Sequence, residues 1–295
     1  MKNPRLIITE KQAKFAKKNL FEDDNPEEVQ KLREMLFSGS KETIKIALEV
    51  SASLGYDISL DVFPEYIELQ KFFVTQKPAG LEDSFYSIPN IKNSQALSDW
   101  ILSMSQRQSA YFANVNSNNL PQGVAILASL VDLTLSGTFR VLPPELGSLQ
   151  NLQRIHIRKG MSLSDISIVS QLQNLQTFVC SNTRTSDITP FYNTNIRTLK
   201  VADSRVSKTV VIKNMPNLQS LQLNGNIGLR NLVIESAPNL IDIFIEDCDL
   251  DVLPEISHLP NLQQINIPIT SRTKPQIAAY VEKNKNVNVV INRWA

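Results

Sequence analysis

The chain is short of the residues on which most catalytic chemistry depends. It holds two histidines and two cysteines in 295 residues, and no H-E-x-x-H, G-x-S-x-G or C-x-x-C. That removes the metalloprotease, nucleophile-elbow and dithiol motifs from consideration. Glycine is scarce as well. Ser38-Gly39-Ser40-Lys41 lacks the leading glycine of a phosphate loop, and Gly225 and Gly228 lie in a repeated turn instead of a strand-to-helix junction. An excess of charge of one sign is missing: 30 Lys and Arg stand against 29 Asp and Glu, a net +1. No global field therefore draws in polyanions, and no nucleic-acid partner is expected. Long apolar runs are absent too. The N-terminal MKNPRLIITEKQAKFAKKNLF has a three-residue apolar run, where a secretory signal needs about 7 to 15 residues and a membrane span roughly 20. No asparagine sits in an N-x-Ser/Thr acceptor. The expectation is a cytoplasmic protein with no membrane partner, with export lacking a classical signal as the alternative.

What the chain does have is 42% hydrophobic residues, enough for a buried core, and one ten-residue phrase written six times. NLQSLQLNGN at 217 returns as NLQRIHIRKG at 151, NLQTFVCSNT at 174, NIRTLKVADS at 195, NLIDIFIEDC at 239 and NLQQINIPIT at 261. Counted from the residue after each Asn, the copies start at Leu152, Leu175, Ile196, Leu218, Leu240 and Leu262, spaced 23, 21, 22, 22 and 22 residues apart. A fixed period in this range marks a solenoid. Positions 1, 4 and 6 of each copy are apolar, as in Leu152/Ile155/Ile157, Leu218/Leu221/Leu223 and Leu262/Ile265/Ile267. Alternation at 4 and 6 is the period of a strand with its other face in water. Counting back in steps of 22 reaches Leu130/Leu133/Leu135 and then Gln108, with Tyr111 and Ala113 at the inward positions. Position 9 reads Asn116, Thr138, Gly160, Thr183, Ser204, Asn226, Cys248 and Thr270. Most of these are small groups able to hydrogen-bond the turn that leaves the strand.

This pattern, L-x-x-L-x-L-x-x-[N/C/T]-x-L, resembles the leucine-rich repeat family over about residues 108 to 292. The return segments VLPPELGSLQ and DVLPEISHLP match the L-P-x-x-L-x-x-L type, and LSDISIVSQLQ and TSDITPFYNTN the S-D-I type of bacterial short repeats. The resemblance implies an α/β fold: a curved leucine-rich repeat solenoid with a parallel concave sheet of about seven to eight repeats, preceded by a small all-α domain. Gly160, which lacks a side-chain donor, and the Leu-poor segment 205–216 depart from the pattern. One unit cannot bury its own apolar edge, so each copy must be covered by the next.

A stack needs covers at both ends. The C-terminal residues 274–295 read as a cap: a short helix from Lys274 to Asn284 with Ile277, Ala278 and Val281 on one face, then a closing strand and Trp294 over the last layer. Residues 1–76 read as a helical domain. Thr9 and Gln12 have the form of a capping box. Asn25-Pro26 opens a helix carrying Val29, Leu32, Met35 and Leu36. Ser40 opens one through Ile44, Ala47, Leu48 and Leu54 to Gly55, and Pro64 one with Tyr66, Ile67, Phe72 and Phe73. Residues 77–107 supply a linker, marked by Pro78, Gly80, Pro89 and scattered polar residues, and a capping helix from Ser94 that would dock Leu97, Trp100, Ile101 and Met104 on the first repeat. The repeats proper then run over 108–273.

Cys180 at position 6 and Cys248 at position 9 lie three strands apart, roughly 14 Å at ~4.8 Å per strand, too far for a disulfide. Both read as core or turn residues. His258 falls in a return segment. His156 points outward between Arg154 and Arg158 without the carboxylate partner that a general base needs, so no catalytic residue, metal site or cofactor is expected. The outward positions 3, 5 and 7 form the candidate partner-binding face. Arg154, His156, Arg158 and Lys200, with Lys159, make a basic zone; Asp242 and Glu246, with Asp247 and Asp249, an acidic one; Val179, Gln222 and Phe244 lie on the same strip. A large aromatic such as Phe244 on a solvent-facing strand calls for a cover, either a partner or the N-terminal domain. The strip measures roughly 34 by 16 Å, about 550 Å², against about 800 Å² per partner in a standard interface.

The resemblance implies a non-catalytic module that binds a protein or peptide on its concave face. Two alternatives stand beside it. One is a bacterial effector whose repeats select a host target; such proteins often carry a catalytic domain after the repeats, for which a chain ending at Ala295 leaves no room. The other is an enzyme or nucleotide-binding protein centred on the helical domain.

Overall fold

A computed structural model describes residues 26–36, 38, 40–53, 68, 69, 72, 73, 94–116 and 120–293. The Thr9/Gln12 capping box, the helix start at Pro64 with Tyr66 and Ile67, residues Leu54 and Gly55, the linker 77–93 and Trp294 lie outside them. The chain divides into two units, residues 1–114, 118–132 and 144–152 in one and 115–117, 133–143 and 153–295 in the other.

The first unit is helical. Helix α1, Pro26–Leu36, begins with proline at its first position and buries Leu32 and Leu36. Helix α2, Lys41–Ser53, starts as its sequence requires, with the Ser40 hydroxyl accepting from the Thr43 amide at 3.2 Å, an N-cap that satisfies one orphan donor of the first turn. Ile44 and Ala47 are its buried stripe. Helix α3, Ser94–Ser105, buries Trp100, Ile101 and Met104, three of the residues expected to dock. Phe73 lies 6.3 Å from Trp100 and Phe72 5.1 Å from Phe112, both ring pairs edge-on, the geometry aromatic quadrupoles favour. The Ser105 carbonyl accepts from Ser129 at 3.1 Å, which ties the end of α3 to the first coil.

Strand β1, Ser109–Asn116, corrects the expected register. Phe112 and Val115 are buried, whereas Tyr111 and Ala113 are half-buried and Asn116 is exposed. The Gln108 carbonyl accepts from both Val131 and Asp132, just as Gln153 accepts from Gln176 and Thr177 one repeat later. Gln108 is therefore position 2, not position 1, and the first spacing is 23 residues. Because side chains alternate, this slip of one exchanges the two faces of the strand.

In the second unit the strands are β2 (Asp132–Thr138), β3 (Arg154–Arg158), β4 (Thr177–Ser181), β5 (Thr198–Ala202), β6 (Thr209–Ile212), β7 (Ser220–Gln222), β8 (Asn231–Ile234), β9 (Asp242–Phe244), β10 (Gln264–Ile269) and β11 (Asn288–Arg293). The main sheet runs β2-β3-β4-β5-β7-β9-β10-β11. From β3 onward its pairing is parallel and unshifted, so that Ile155, Phe178, Leu199, Leu221, Ile243 and Ile265 face one another in a single row. All six are buried. This is a leucine-rich repeat solenoid, built as position 4 of the repeat demands.

Turns leave β3, β4, β5, β7 and β9 through a left-handed residue at position 8: Lys159, Asn182, Asp203, Gly225 and Asp247 all have φ between 47° and 73°. Position 9 then closes the turn of its neighbour. The Thr183 and Ser204 hydroxyls are 2.9 Å apart, the Ser204 amide donates to Asn226 Oδ1, and Cys248 Sγ donates to the Leu223 carbonyl. The asparagine that precedes position 1 has a second role. Asn151, Asn195, Asn239 and Asn261 donate to carbonyls 22 or 23 residues earlier.

Return segments differ with composition. Pro144–Ser148, Ser167–Gln171 and Thr189–Phe191 are single 3-10 turns. In the S-D-I type the aspartate starts the turn, Asp165 accepting from the Ser167 amide and Asp187 from the Thr189 amide at 2.8 Å each. Across the Leu-poor segment, by contrast, β6 and β8 form a separate two-stranded parallel sheet. The β-branched run Thr209-Val210-Val211-Ile212 favours extended backbone, and Val210, Ile212, Leu232 and Ile234 point inward. His258 Nε2 lies 2.7 Å from the Ile234 carbonyl at the edge of β8.

The C-terminal helix α4, Ile277–Lys283, follows a 3-10 turn at Lys274–Gln276 and precedes the closing strand β11. Its expected apolar face is not a buried one: Ala278 and Val281 are exposed and Ile277 is half-buried. Polar contacts hold it instead. Tyr280 donates to the Pro254 carbonyl at 2.9 Å, Gln276 to Asp251 at 2.9 Å, and Lys283 pairs with Glu255.

Candidate functional site

Every residue named for the partner-binding face lies on or beside a strand of the second unit, and register brings most of them into rows. His156, Val179, Lys200, Gln222 and Phe244 pair in sequence across β3, β4, β5, β7 and β9. Arg154 and Asp242 belong to the position-3 row, four strands apart, with Thr177, Thr198 and Ser220 between them. Arg158 and Glu246 are at position 7, Arg158 at the end of β3 and Glu246 just beyond β9. Arg154 and Arg158 are exposed; the other seven are half-buried. Phe244 is thus shielded in part by its neighbours, which softens the contrast expected of an aromatic on a wet face.

The two charged zones differ in how they are satisfied. At the acidic end the Ser220 hydroxyl donates to Asp242, and Gln222 Nε2 donates to the Ser220 oxygen at 3.3 Å. Glu246 is less well served: burial pushes its carboxyl above the usual range and Asp247 adds to this, while its own backbone amide, Asn266 and Lys200 pull the other way. Its Oε2 atom is buried with no hydrogen-bond partner among the described residues. Asp249, expected in the same zone, is engaged elsewhere. It bridges Arg230 and Arg272, and these two cations, against a desolvation that opposes them, hold its carboxyl below the ordinary value.

At the basic end an open depression of about 620 Å³ lies where β3 and β4 pass into their turns. His156, Arg158 and Val179 line it, as named from the sequence, joined by Lys159, Ser181, Asn182 and Met161. Met161 is 70% exposed. The strand pattern could not find Met161 or Asn182, because they follow position 7 and their direction is set by the left-handed turn.

Neither cysteine offers a nucleophile. Burial pushes both thiols up to about 12, and both are free. Among the described residues no group of three His, Cys, Asp or Glu is placed to hold a metal, and no helix is long and apolar enough to cross a membrane.

No family model matches the sequence, and no curated protein does. Among solved structures the chain is similar to an internalin, InlF, from Listeria monocytogenes, at 16% identity and a TM-score of 0.43 over 77% of this chain. It spans 62% of that internalin's own length. It is also similar to the leucine-rich repeat domain of the type III effector XopL, at 19% identity and a TM-score of 0.47, with 76% of this chain and 89% of that domain covered. A leucine-rich repeat protein from Leptospira interrogans is similar at 12% identity and a TM-score of 0.29, covering 65% of this chain and 85% of that one.

Proposed function

We propose that this chain is a non-catalytic protein-interaction module that holds a protein or peptide partner on the open face of its repeat sheet. One contrast carries the reading. On one side of the strands the position-4 residues are packed out of water, while the next residue along each strand, His156, Val179, Lys200, Gln222 or Phe244, stands in a continuous accessible row of unlike chemistry. Such a row can discriminate by charge and shape while the backbone beneath it stays rigid. Aromatic and Arg side chains dominate interface energies, which makes Phe244, Arg154 and Arg158 the first anchors to test. Both signs of charge on one strip suit a protein better than a nucleic acid.

In this reading the repeats carry recognition, and the helical residues before them and residues 274–295 after them serve as covers. The experiment is cross-linking and capture from native cells, with partner recovery compared between the wild-type chain and Phe244→Ala and Arg154→Glu/Arg158→Glu variants. A partner recovered by wild type and lost with these variants supports the face; equal recovery by all of them overturns it. Fractionation of the same cells tests the cytoplasmic setting, and recovery from the culture medium favours the effector reading.

A further inference from the structure

Resting on the interaction reading above, we propose that the depression at the ends of β3 and β4 seats an acidic peptide segment that presents an apolar side chain. The site has two cations and no carboxylate in its lining. Arg158 and Lys159 are exposed, and neither forms an ion pair among the described residues. Side by side, they create a local positive potential in a chain whose net charge is only +1, so an anionic group is the ligand that this spot attracts.

The second half of the specificity is apolar. Val179 is half-buried in the lining and Met161 stands 70% exposed at its rim. A thioether is polarizable and unbranched, so it adapts to an apolar side chain laid against it. A plain anion site would have no use for either residue.

Lys159 adds an independent sign. Of the five left-handed residues at position 8, the other four are Asn182, Asp203, Gly225 and Asp247, types that tolerate this conformation through local hydrogen bonding or the lack of a side chain. Lys159 does not share that tolerance. The strain of a φ of 56° is accepted in a turn whose side chain, like that of Asn182 one coil on, lines the depression.

The length of the anionic ligand is limited by the same face. Along the rows from β3, four strand steps lead to Asp242 on β9, with Glu246 and Asp247 just beyond its end. At ~4.8 Å per step that is about 19 Å, or six residues of extended peptide at ~3.3 Å each. A polyanion tracking the strip would run into repulsion there, so a short acidic segment fits and a nucleic-acid backbone does not.

The test uses the full chain and fluorescence anisotropy with a labelled peptide of about six residues, Asp and Glu around a Leu. The expected result is saturable binding that weakens as salt rises. A Lys-for-acid peptide should not bind, and a Gly-for-Leu peptide should bind less tightly. Arg158→Gln/Lys159→Asn should weaken binding roughly tenfold, Met161→Ser about threefold, and Lys213→Ala not at all. Lys159→Asn suits the left-handed turn, so its melting temperature should hold or rise while affinity falls, which separates ligand contact from misfolding. No binding by wild type, equal binding by the double variant, or equal binding of a single-stranded oligonucleotide overturns the proposal. Capture of the native partner distinguishes the two levels. Dependence on Phe244 but not on Arg158 and Lys159 sinks the acidic-segment assignment and leaves the interaction face standing, whereas dependence on none of them sinks both.

Discussion

Asn226 Oδ1 accepts a hydrogen bond from the backbone amide of Ser204 at 3.0 Å, so a side chain in one coil completes the turn of the coil 22 residues before it. Its Nδ2 donates to the carbonyls of Val201 and Leu223, and the residue is fully buried. Asn226→Ala should therefore cost about 3 kcal/mol or more in chemical denaturation, since each buried group left unpaired costs about 1 to 3 kcal/mol. Asn217→Ala, which removes an exposed bond to Asn195, should cost under about 0.5 kcal/mol. Similar losses for the two would show that the buried ladder is not what locks the coils.

Two glycines should differ in how badly they tolerate a methyl group. A Cβ at Gly137 would lie 1.9 Å from the Val115 carbonyl oxygen, a backbone atom. At Gly225, with φ of 73°, it would lie 2.0 Å from Asp203 Oδ1, the end of a side chain that can swing away. Gly225→Ala should cost about 1 to 2 kcal/mol through left-handed strain alone, and Gly137→Ala clearly more. Thermal melts of the two variants measure the order.

Acid should loosen the C-terminal contacts first. Hydrogen bonds from Lys283 and from the Ser257 hydroxyl and amide hold the Glu255 carboxyl at about 2 against an ordinary 4.5. A depressed folded pKa means that the stabilisation is complete above 4.5 and is lost as pH falls from there towards 2. Glu255→Gln should lower the melting temperature at pH 7 and leave it nearly unchanged at pH 2.

Glu246 should behave in the opposite sense. Its carboxyl titrates above the ordinary 4.5 because burial disfavours the charge, so ionisation as pH rises through that range works against folding. Glu246→Gln should raise the melting temperature at pH 7, with the gain shrinking at pH 4. A lower melting temperature at pH 7 would mean that Lys200 and Asn266 outweigh the desolvation.

Native thiols should be silent. Cys180 and Cys248 are buried and pushed up to about 12, and the thiolate is the reactive form. A thiol reagent should label neither until denaturant opens the stack, and then both. Rapid labelling of either cysteine in the native state would contradict this.

The rows of the candidate face were legible in advance because the pleat forces them. Once position 4 is inside, positions 3 and 5 are outside, and parallel unshifted pairing sets like positions side by side. His156, Val179, Lys200, Gln222 and Phe244 fall in one row for that reason. The depression was legible only in part. Met161 and Asn182 reach it through turns whose left-handed backbone no alternation predicts, and Asp249, read as part of an acidic zone, is drawn aside by Arg230 and Arg272.

The stack itself was written in local letters. A 22-residue period with apolar residues at 1, 4 and 6 admits no compact way to bury its edge other than the next copy. The Ser40 cap and the buried stripe of α3 are equally local. Three features were settled by contacts distant in sequence. Phe112 instead of Tyr111 faces inward because backbone bonds from Val131 and Asp132 to Gln108 set the register. The segment 209–212 becomes a strand because 231–234 lies ready to pair with it. Helix α4 is held by Tyr280, Gln276 and Lys283 instead of an apolar stripe. Periodicity tells which side chains must leave water; it does not tell which partner, 20 or more residues away, supplies the hydrogen bond that decides between neighbouring registers.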